Sequence, residues 1–349
     1  MDDLRRPFRA RPPKPRTGRG RTLACLLLVS AAVAGTAGCG ATATTTAPSP
    51  TSTPSSASKT AEVPSSASKT AEVPSSASAT AADASPSATA SAGASSGQAL
   101  PAPGAPLPTD PARLATALRD TTTALNAAID RWRPSTGAPP RDVELLALYQ
   151  QRLYRHAARN RALADRAFAR LPAALAAQAK DNVSALRELL ALTRPIKPSA
   201  VFKVQPARPA AELLGHFKRA ERRFGVEWEV LASVMFVETK FGRVRADSHA
   251  GAQGPMQFMP ATWRAYGMGG DVRNPRDAVM GAANYLHASG APRDYRRALH
   301  AYNPSQAYVD AVLLHARQMR RDPRAYYAYY NWQVFVLTTA GERRLTGPK

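Results

Sequence analysis

The stretch EWEVLASVMFVETKFG, residues 227–242, decides how the most informative part of this chain folds. Leu231, Val234, Met235 and Glu238 recur at spacings of three and four, so they share one face of a helix. Three of these residues are apolar, whereas the fourth is an acid on the face that should be buried. Burial raises the pKa of a carboxyl group, and a neutral carboxylic acid can protonate a leaving group. Glu238 is therefore a candidate catalytic acid; the alternative is a residue at a frayed helix end that turns back to solvent.

Two short segments further along the chain carry residues of the kind that line a cleft. In GAQGPMQFMPATW, residues 251–263, a glycine- and proline-rich turn holds Met256 and Gln257 beside it. In AYNPSQAYV, residues 301–309, Tyr302 and Asn303 end a helix in front of a proline. Taken singly, each segment also fits core packing or an ordinary helix exit.

Taken together with Asn284-Tyr285-Leu286, these motifs resemble those of the soluble lytic transglycosylases, which cleave the glycan of bacterial cell walls. The resemblance covers roughly residues 205–320, and it implies a lysozyme-like helical domain in which Glu238 is the single catalytic acid and base. The substrate-binding residues that it implies are Thr239, Met256, Gln257, Tyr285, Tyr302 and Asn303. Three residues depart from the family pattern, which leaves the substrate preference open: Thr239 stands for Ser, Pro255 for Leu and Pro304 for Gly.

The number of carboxylates bears on the mechanism. Ordinary glycosidases use two acids, and the acids that follow Glu238 most closely, Asp247 and Asp271, lie in predicted loops and match no role in the resembled family. The resemblance implies instead that the N-acetyl group and the 6-hydroxyl of the substrate complete the reaction. Cleavage of the MurNAc-GlcNAc β-1,4 bond would then leave a 1,6-anhydro-muramic end. Two alternatives stay open: a lysozyme-type hydrolase of peptidoglycan that uses Asp247 or Asp271, and a non-catalytic cell-wall-binding scaffold.

The N-terminus has the pattern of an export signal. A basic segment precedes the short apolar run LACLLLVSAAVAGTAG, and we expect residues 1–38 to be a signal peptide. The sequence TAGC that ends this region resembles a lipobox, so Cys39 is the predicted lipidation site, with ordinary cleavage as the alternative. We therefore expect a protein exported to the extracellular face of the cytoplasmic membrane or the cell wall and held at the membrane by a lipid anchor.

The composition of the chain limits the classes of partner that it can bind. The formal net charge of +22 favours anionic partners, and for an exported protein these are cell-wall polymers such as peptidoglycan rather than nucleic acid. Cys25 and Cys39 are the two cysteines, so the mature chain has no cysteine pair, and the histidines lack ligand spacing. With no phosphate-binding glycine motif either, the sequence predicts neither a metal site nor a cofactor.

The pattern of the remaining chain predicts a mainly α protein. An Ala-, Ser-, Thr- and Pro-rich tether over 39–108 is too poor in large apolar residues to fold. It precedes a three-helix antiparallel bundle over 109–198 and the catalytic domain over 199–322. In the C-terminal extension, 323–349, the segment YYAYYNWQVFVLTT predicts a strand, and we expect its aromatic side chains to pack in a core.

Overall fold

Four helices form the region predicted as a bundle, in a computed structural model that describes residues 99–133 and 137–349. Their bounds are α1 Pro111–Trp132, α2 Arg141–Arg159, α3 Arg161–Phe168 and α4 Ala173–Ala191. The predicted second helix is broken because Asn160 leaves the helical region, with φ −122° and ψ 81°. Its side-chain amide donates to the carbonyl of His156 at 2.9 Å, so the first helix ends there and a second begins. The expected count of three helices is therefore wrong by one.

The predicted signal peptide, the lipidation of Cys39 and the tether up to residue 98 lie outside the described residues. The last ten residues of the predicted tether, 99–108, are described and contact α2. The guanidinium of Arg152 donates to the carbonyl of Ala105 at 2.7 Å. Within 99–133 and 137–349, no helix is long and apolar enough to cross a membrane.

Six helices follow in the region predicted as catalytic. They are α5 Ala210–Phe224, α6 Trp228–Thr239, α7 Pro260–Tyr266, α8 Pro275–Ala288, α9 Tyr295–Tyr302 and α10 Gln306–Arg321. Gly225 ends α5 at a φ of 69°, a left-handed conformation that favours glycine. Asn274 caps α8 by accepting a hydrogen bond from the backbone of Arg276 at 2.9 Å. The predicted mainly α fold is confirmed.

The aromatic C-terminal extension forms a helix before it forms a sheet. Helix α11 spans Arg324–Tyr330, and an antiparallel hairpin follows with strands β1 Phe335–Thr338 and β2 Gly341–Arg344. The predicted strand was wrong for its first half, which is helical. Asp322, just before this helix, accepts a hydrogen bond from the backbone of Arg324 at 2.9 Å. The expected packing role is confirmed, since the five aromatic residues before the hairpin are buried: Tyr326, Tyr327, Tyr329, Tyr330 and Trp332.

One hydrophobic core extends from α1 to α11. Helix α10 packs against α4 on one side and against α6 on the other, so it joins the first four helices to the helix that carries Glu238. Phe236 of α6 lies in the middle of this contact, stacked on Tyr329 with ring centres 5.0 Å apart. The C-terminal end of α6 is thereby held from behind by the core.

Candidate active site

Glu238 lies in the last turn of α6, a helix whose residues from Val230 to Thr239 are all buried. The side chain does not turn back to solvent, since the residue is only 4% exposed. Burial disfavours the charged form and raises the pKa of Glu238 from 4.5 to about 8. The carboxyl group is therefore protonated at neutral pH, as a general acid must be.

Two groups oppose the effect of burial on Glu238. The hydroxyl of Tyr308, in the first turn of α10, faces the acid and lowers its pKa, and the charge of Lys240 lowers it further. Tyr308 is fully buried, and its hydroxyl forms no hydrogen bond within the described residues. The Lys240 ammonium donates a hydrogen bond to the carbonyl of Phe236 at 2.9 Å.

Tyr302 lies on another side of the acid. Burial raises the pKa of its phenol, and the charge of Glu238 raises it further, so the phenol is neutral and remains a hydrogen-bond donor. That hydroxyl donates to the carbonyl of Met256 at 2.6 Å. The end of α9 is thereby tied to the turn that carries Met256 and Gln257.

The turn over residues 254–257 has a close-packed backbone. Gly254 has a φ of 73°, and a Cβ added there would lie 1.9 Å from the carbonyl oxygen of Val272, so only glycine fits. Gln257 has a positive φ of 51°, and its side-chain amide donates to the Gly254 carbonyl at 2.9 Å. This left-handed conformation fixes the direction of the Gln257 side chain.

Two buried acceptor oxygens near this turn and at the end of α9 are left without a partner. Gln257 and Asn303 are 8% and 4% exposed, yet Oε1 of the first and Oδ1 of the second accept no hydrogen bond within the described residues. Buried polar atoms are normally satisfied, so a bound molecule with hydroxyl or amide donors is the natural partner for both.

Thr239 differs from its predicted role. The residue is fully buried, and its hydroxyl donates to the carbonyl of Pro255 at 2.7 Å while accepting from the backbone of Gly242 at 2.9 Å. The hydroxyl therefore joins the end of α6 to the turn over 254–257 and is not directed at a ligand. A positioning role for Thr239 fits this geometry better than the expected contact with substrate.

We expect Thr239→Val to destabilise the protein by about 1–3 kcal/mol, because it leaves the buried Pro255 carbonyl and Gly242 amide without their partner. Thr239→Ser retains the hydroxyl and is the matched control, with a much smaller loss. Urea denaturation measures both variants. Equal stability of the valine and serine variants would contradict the stabilising role of the two hydrogen bonds that this hydroxyl makes.

A row of aromatic rings extends from the acid. Tyr302 stacks obliquely on Tyr285 with ring centres 5.6 Å apart, and Tyr285 stacks on Tyr266 at 4.7 Å. In the other direction, Phe258 contacts Tyr302 at 5.8 Å and Trp263 at 5.0 Å. The predicted site residue Tyr285 is thus one ring removed from Tyr302, and its hydroxyl donates to the carbonyl of Ala301 at 2.7 Å.

Comparison with known proteins identifies this region. Residues 215–321 match the family model of the transglycosylase SLT domain. The chain carries an SLT domain. The resemblance to soluble lytic transglycosylases that the sequence motifs predict is confirmed, and all of the candidate residues named above fall inside the matched range.

A curated relative of the SLT domain is the membrane-bound lytic murein transglycosylase F of Thiobacillus denitrificans (strain ATCC 25259 / T1), which is 28% identical over 123 residues. The match covers 33% of this chain and 26% of the relative, so the chain spans about a quarter of the protein that it matches. No solved structure matches the chain.

The two acids considered as partners of Glu238 are engaged elsewhere in the SLT domain. Asp247 forms a bidentate ion pair with Arg273, at 3.0 and 2.9 Å, and it is exposed. Asp271 accepts a hydrogen bond from the backbone of Arg273 at 2.8 Å. Both carboxylates therefore organise the loop around Arg273.

Sequence reasoning missed two residues of the site. Tyr308 follows Tyr302 by six residues, but a buried tyrosine in the first turn of a helix has the pattern of an ordinary core residue. Lys240 comes two residues after Glu238 in a left-handed conformation, with a φ of 52°, which returns its side chain to the helix. No sequence signal distinguishes that lysine from a solvated one.

Proposed function

We propose that the protein is a peptidoglycan lytic transglycosylase in which Glu238 serves as the single acid and base. The substrate would be the MurNAc-GlcNAc β-1,4 bond, and the product a 1,6-anhydro-muramic end. The observation that carries the proposal is a buried carboxyl group, with its pKa raised to about 8, at the end of a helix in an SLT domain. The name of the relative from T. denitrificans supports the same substrate class.

The proposed reaction uses one acid twice. Protonated Glu238 donates its proton to the glycosidic oxygen as the bond from C1 of MurNAc breaks, and the carbonyl oxygen of the substrate's N-acetyl group bonds to C1. The Glu238 carboxylate then takes the proton of the 6-hydroxyl of the same sugar, whose oxygen displaces the acetamido oxygen from C1. No water is consumed, and Glu238 ends protonated as it began.

The surrounding residues have separate roles in this proposal. Tyr308 and Lys240 stabilise the carboxylate that exists between the two steps, since both lower the pKa of Glu238. The unpartnered oxygens of Gln257 and Asn303 accept hydrogen bonds from the hydroxyl and amide groups of the glycan. The partly exposed rings of Tyr266, Tyr285 and Tyr302 offer surfaces on which sugar rings stack.

Export and anchoring belong to the same proposal. An enzyme that acts on peptidoglycan must leave the cytoplasm, which agrees with the predicted signal peptide over 1–38 and with the name of a membrane-bound relative. We propose a location at the outer face of the cytoplasmic membrane or in the cell wall, with Cys39 as the lipid-anchored residue. Globomycin treatment of producing cells would block maturation if Cys39 is lipidated and would leave it unchanged if cleavage is ordinary.

Product analysis tests the reaction. Digestion of purified peptidoglycan with the protein should release muropeptides that are 18 mass units lighter than their hydrated counterparts, because the 6-oxygen replaces water at C1. Mass spectrometry separates the two forms. Products that carry only hydrated reducing ends would overturn the lyase and favour a hydrolase.

We expect Asp247→Asn and Asp271→Asn to retain at least about half of the wild-type rate, since both acids contact Arg273 rather than the proposed substrate. The measurement is the release of soluble fragments from peptidoglycan. A loss of about 100-fold or more in either variant, the low end of what general-base catalysis contributes, would favour the hydrolase.

We expect the rate to fall as the pH rises above about 8, because only the protonated form of Glu238 can donate to the leaving group. Tyr308→Phe removes a group that lowers this pKa, so the decline should move to higher pH. The dependence of kcat on pH measures the shift, with Tyr149→Phe in α2 as a control distant from the acid. An unchanged alkaline limb in Tyr308→Phe would contradict the contact between Tyr308 and Glu238.

A further inference from the structure

A second cavity lies behind the turn over residues 254–257, and its lining includes neither Glu238 nor Tyr302. It has a volume of about 410 Å³. Its floor is apolar and consists of side chains that are almost fully buried: Leu213, Met235, Phe241, Val244 and Pro255. This volume is within the range of ligand pockets in proteins, which are mostly apolar with a few polar groups at defined positions.

The rim of this cavity is cationic. Arg208, Arg245 and Arg273 line it, and all three side chains reach solvent. Two acids partly neutralise the rim, since Arg208 pairs with Glu212 and Arg273 pairs with Asp247. Arg245 makes neither an ion pair nor a side-chain hydrogen bond with any residue of 99–133 and 137–349. Arg245 is therefore an arginine of this rim whose charge no acid compensates within the described residues.

The backbone around Arg245 is firmly held, so its position is a fixed property of the fold. Its amide donates to the carbonyl of Lys203 at 2.9 Å, and the amide of Gln205 donates to the carbonyl of Arg243 at 2.9 Å. The side-chain amide of Gln205 donates to the Gly242 carbonyl at 2.9 Å, which closes the same side of the cavity. The two short segments thus pair in antiparallel fashion at the edge of the cavity.

The ligand chemistry follows from the rim and the floor together. Guanidinium groups bind carboxylates through paired hydrogen bonds, and the apolar lining of the cavity suits apolar groups of a ligand. A polyphosphate satisfies the rim but makes no use of the apolar lining, whereas a peptide with carboxylates spaced between small apolar side chains fits both. We propose that this cavity, the Arg245 pocket, binds an acidic peptide segment.

The pocket adjoins the candidate active site and shares with it only Gly254 and Pro255 of the turn over residues 254–257. Met235 lines the pocket and lies three residues before Glu238 on α6, which places the two side chains on neighbouring turns. Pro255 lines the pocket, and its carbonyl is held by Thr239. An acidic peptide bound there would sit on the far side of the turn that carries Gln257. Peptide binding as such does not depend on the proposed glycan cleavage.

Fluorescence anisotropy tests the proposal with a labelled heptapeptide of alternating alanine and glutamate and with the full chain carrying Glu238→Gln. That background prevents turnover and leaves the pocket intact, so a failure of the proposed reaction does not affect the result. We expect saturable binding of this peptide, and no binding of the alanine-glutamine or alanine-lysine peptides. Loss of a charge-assisted hydrogen bond in Arg245→Gln should weaken binding about tenfold or more.

Arg222→Gln is the matched control, because it removes the same charge from an exposed arginine near the end of α5. We expect it to bind the peptide as the parent does. Thermal unfolding should be unchanged in both variants because both side chains are exposed. Equal weakening by Arg222→Gln, unchanged binding in Arg245→Gln, or displacement of the peptide by polyphosphate at equal concentration of charge would each overturn the proposal.

A variant that makes the rim more positive provides a further test. Asp247→Asn releases Arg273 from its bidentate ion pair and increases the positive charge of the rim. We expect it to tighten binding of the acidic heptapeptide several-fold. Unchanged or weaker binding in Asp247→Asn would exclude electrostatic recognition by this rim.

Discussion

Glu238→Gln is expected to lower the rate of glycan cleavage by about 10³-fold or more, because the amide can neither protonate the glycosidic oxygen nor deprotonate the 6-hydroxyl. The substitution preserves the size of the side chain, and a neutral amide suits a buried position that holds a neutral acid in the parent protein. Release of soluble fragments from purified peptidoglycan measures the loss. Glu238→Gln should therefore be folded but inactive.

The matched control is Glu229→Gln, which makes the same replacement in the first turn of the same helix. Glu229 is half-buried and lies more than two turns from Glu238, so we expect it to retain most of the activity. Release of fragments by Glu238→Gln at the wild-type rate would refute the enzymatic role proposed for this site and return the non-catalytic scaffold to consideration.

Glu238→Gln should also change how the stability of the protein depends on pH. Because the pKa of Glu238 is raised from 4.5 to about 8 on folding, its contribution to stability is complete below about pH 4.5 and is lost as the pH rises through 8. Glu238→Gln removes this dependence, so its stability should decline less than that of the parent between pH 5 and pH 9. The buried Lys240 acts in the opposite sense, losing its contribution as the pH falls through about 7.

Phe236→Ala is expected to cost about 3–5 kcal/mol in the free energy of unfolding, since it empties a buried aromatic site. Phe236 stacks on Tyr329 with ring centres 5.0 Å apart. It also makes an edge-to-face contact with His315, with ring centres 4.9 Å apart. The ammonium of Lys240 lies 4.2 Å from the centre of the same ring. Chemical denaturation followed by circular dichroism measures the effect.

Phe236→Leu is the control for this site, because it retains most of the apolar volume and leaves a smaller cavity. We expect its cost to be clearly below that of the alanine variant. A loss below about 1 kcal/mol in Phe236→Ala would mean that the surrounding rings collapse into the space, and that the core contact described for Phe236 contributes little.

The helix that carries Glu238 could be predicted from the sequence because the apolar face of α6 is interrupted by a single carboxylate. The pattern left two alternatives for Glu238, burial or a frayed helix end, and the structure shows burial. The start of α8 follows from Asn274 and Pro275. Tyr308 could not be assigned to the site, since its burial beside Glu238 depends on how α10 packs against α6. That packing is tertiary and leaves no spacing signal in the chain.

Two errors in the fold have local causes. Asn160 breaks the second bundle helix through its own side-chain hydrogen bond, whereas the apolar spacing continues across it and favours one long helix. The aromatic run after Pro323 has high strand propensity, yet it is helical. The helix places Tyr326 and Tyr329 on neighbouring turns, where both rings are buried in the core. In both cases tertiary or side-chain contacts override an intrinsic preference.

The contacts of the first four helices with α10 and with the C-terminal extension limit how far this protein can be divided into interchangeable modules. The hydroxyl of Tyr329 donates to the buried side chain of Asn182 at 2.7 Å, and Gln151 exchanges two hydrogen bonds with the backbone of Gln333. A recombinant chain that began at residue 199 would expose the apolar face of α10 and leave Tyr329 and Gln333 without these partners. We therefore expect the effects of substitutions on the two sides of these contacts to be coupled, and an SLT domain taken from another protein to need new contacts at α10 to fit these first four helices.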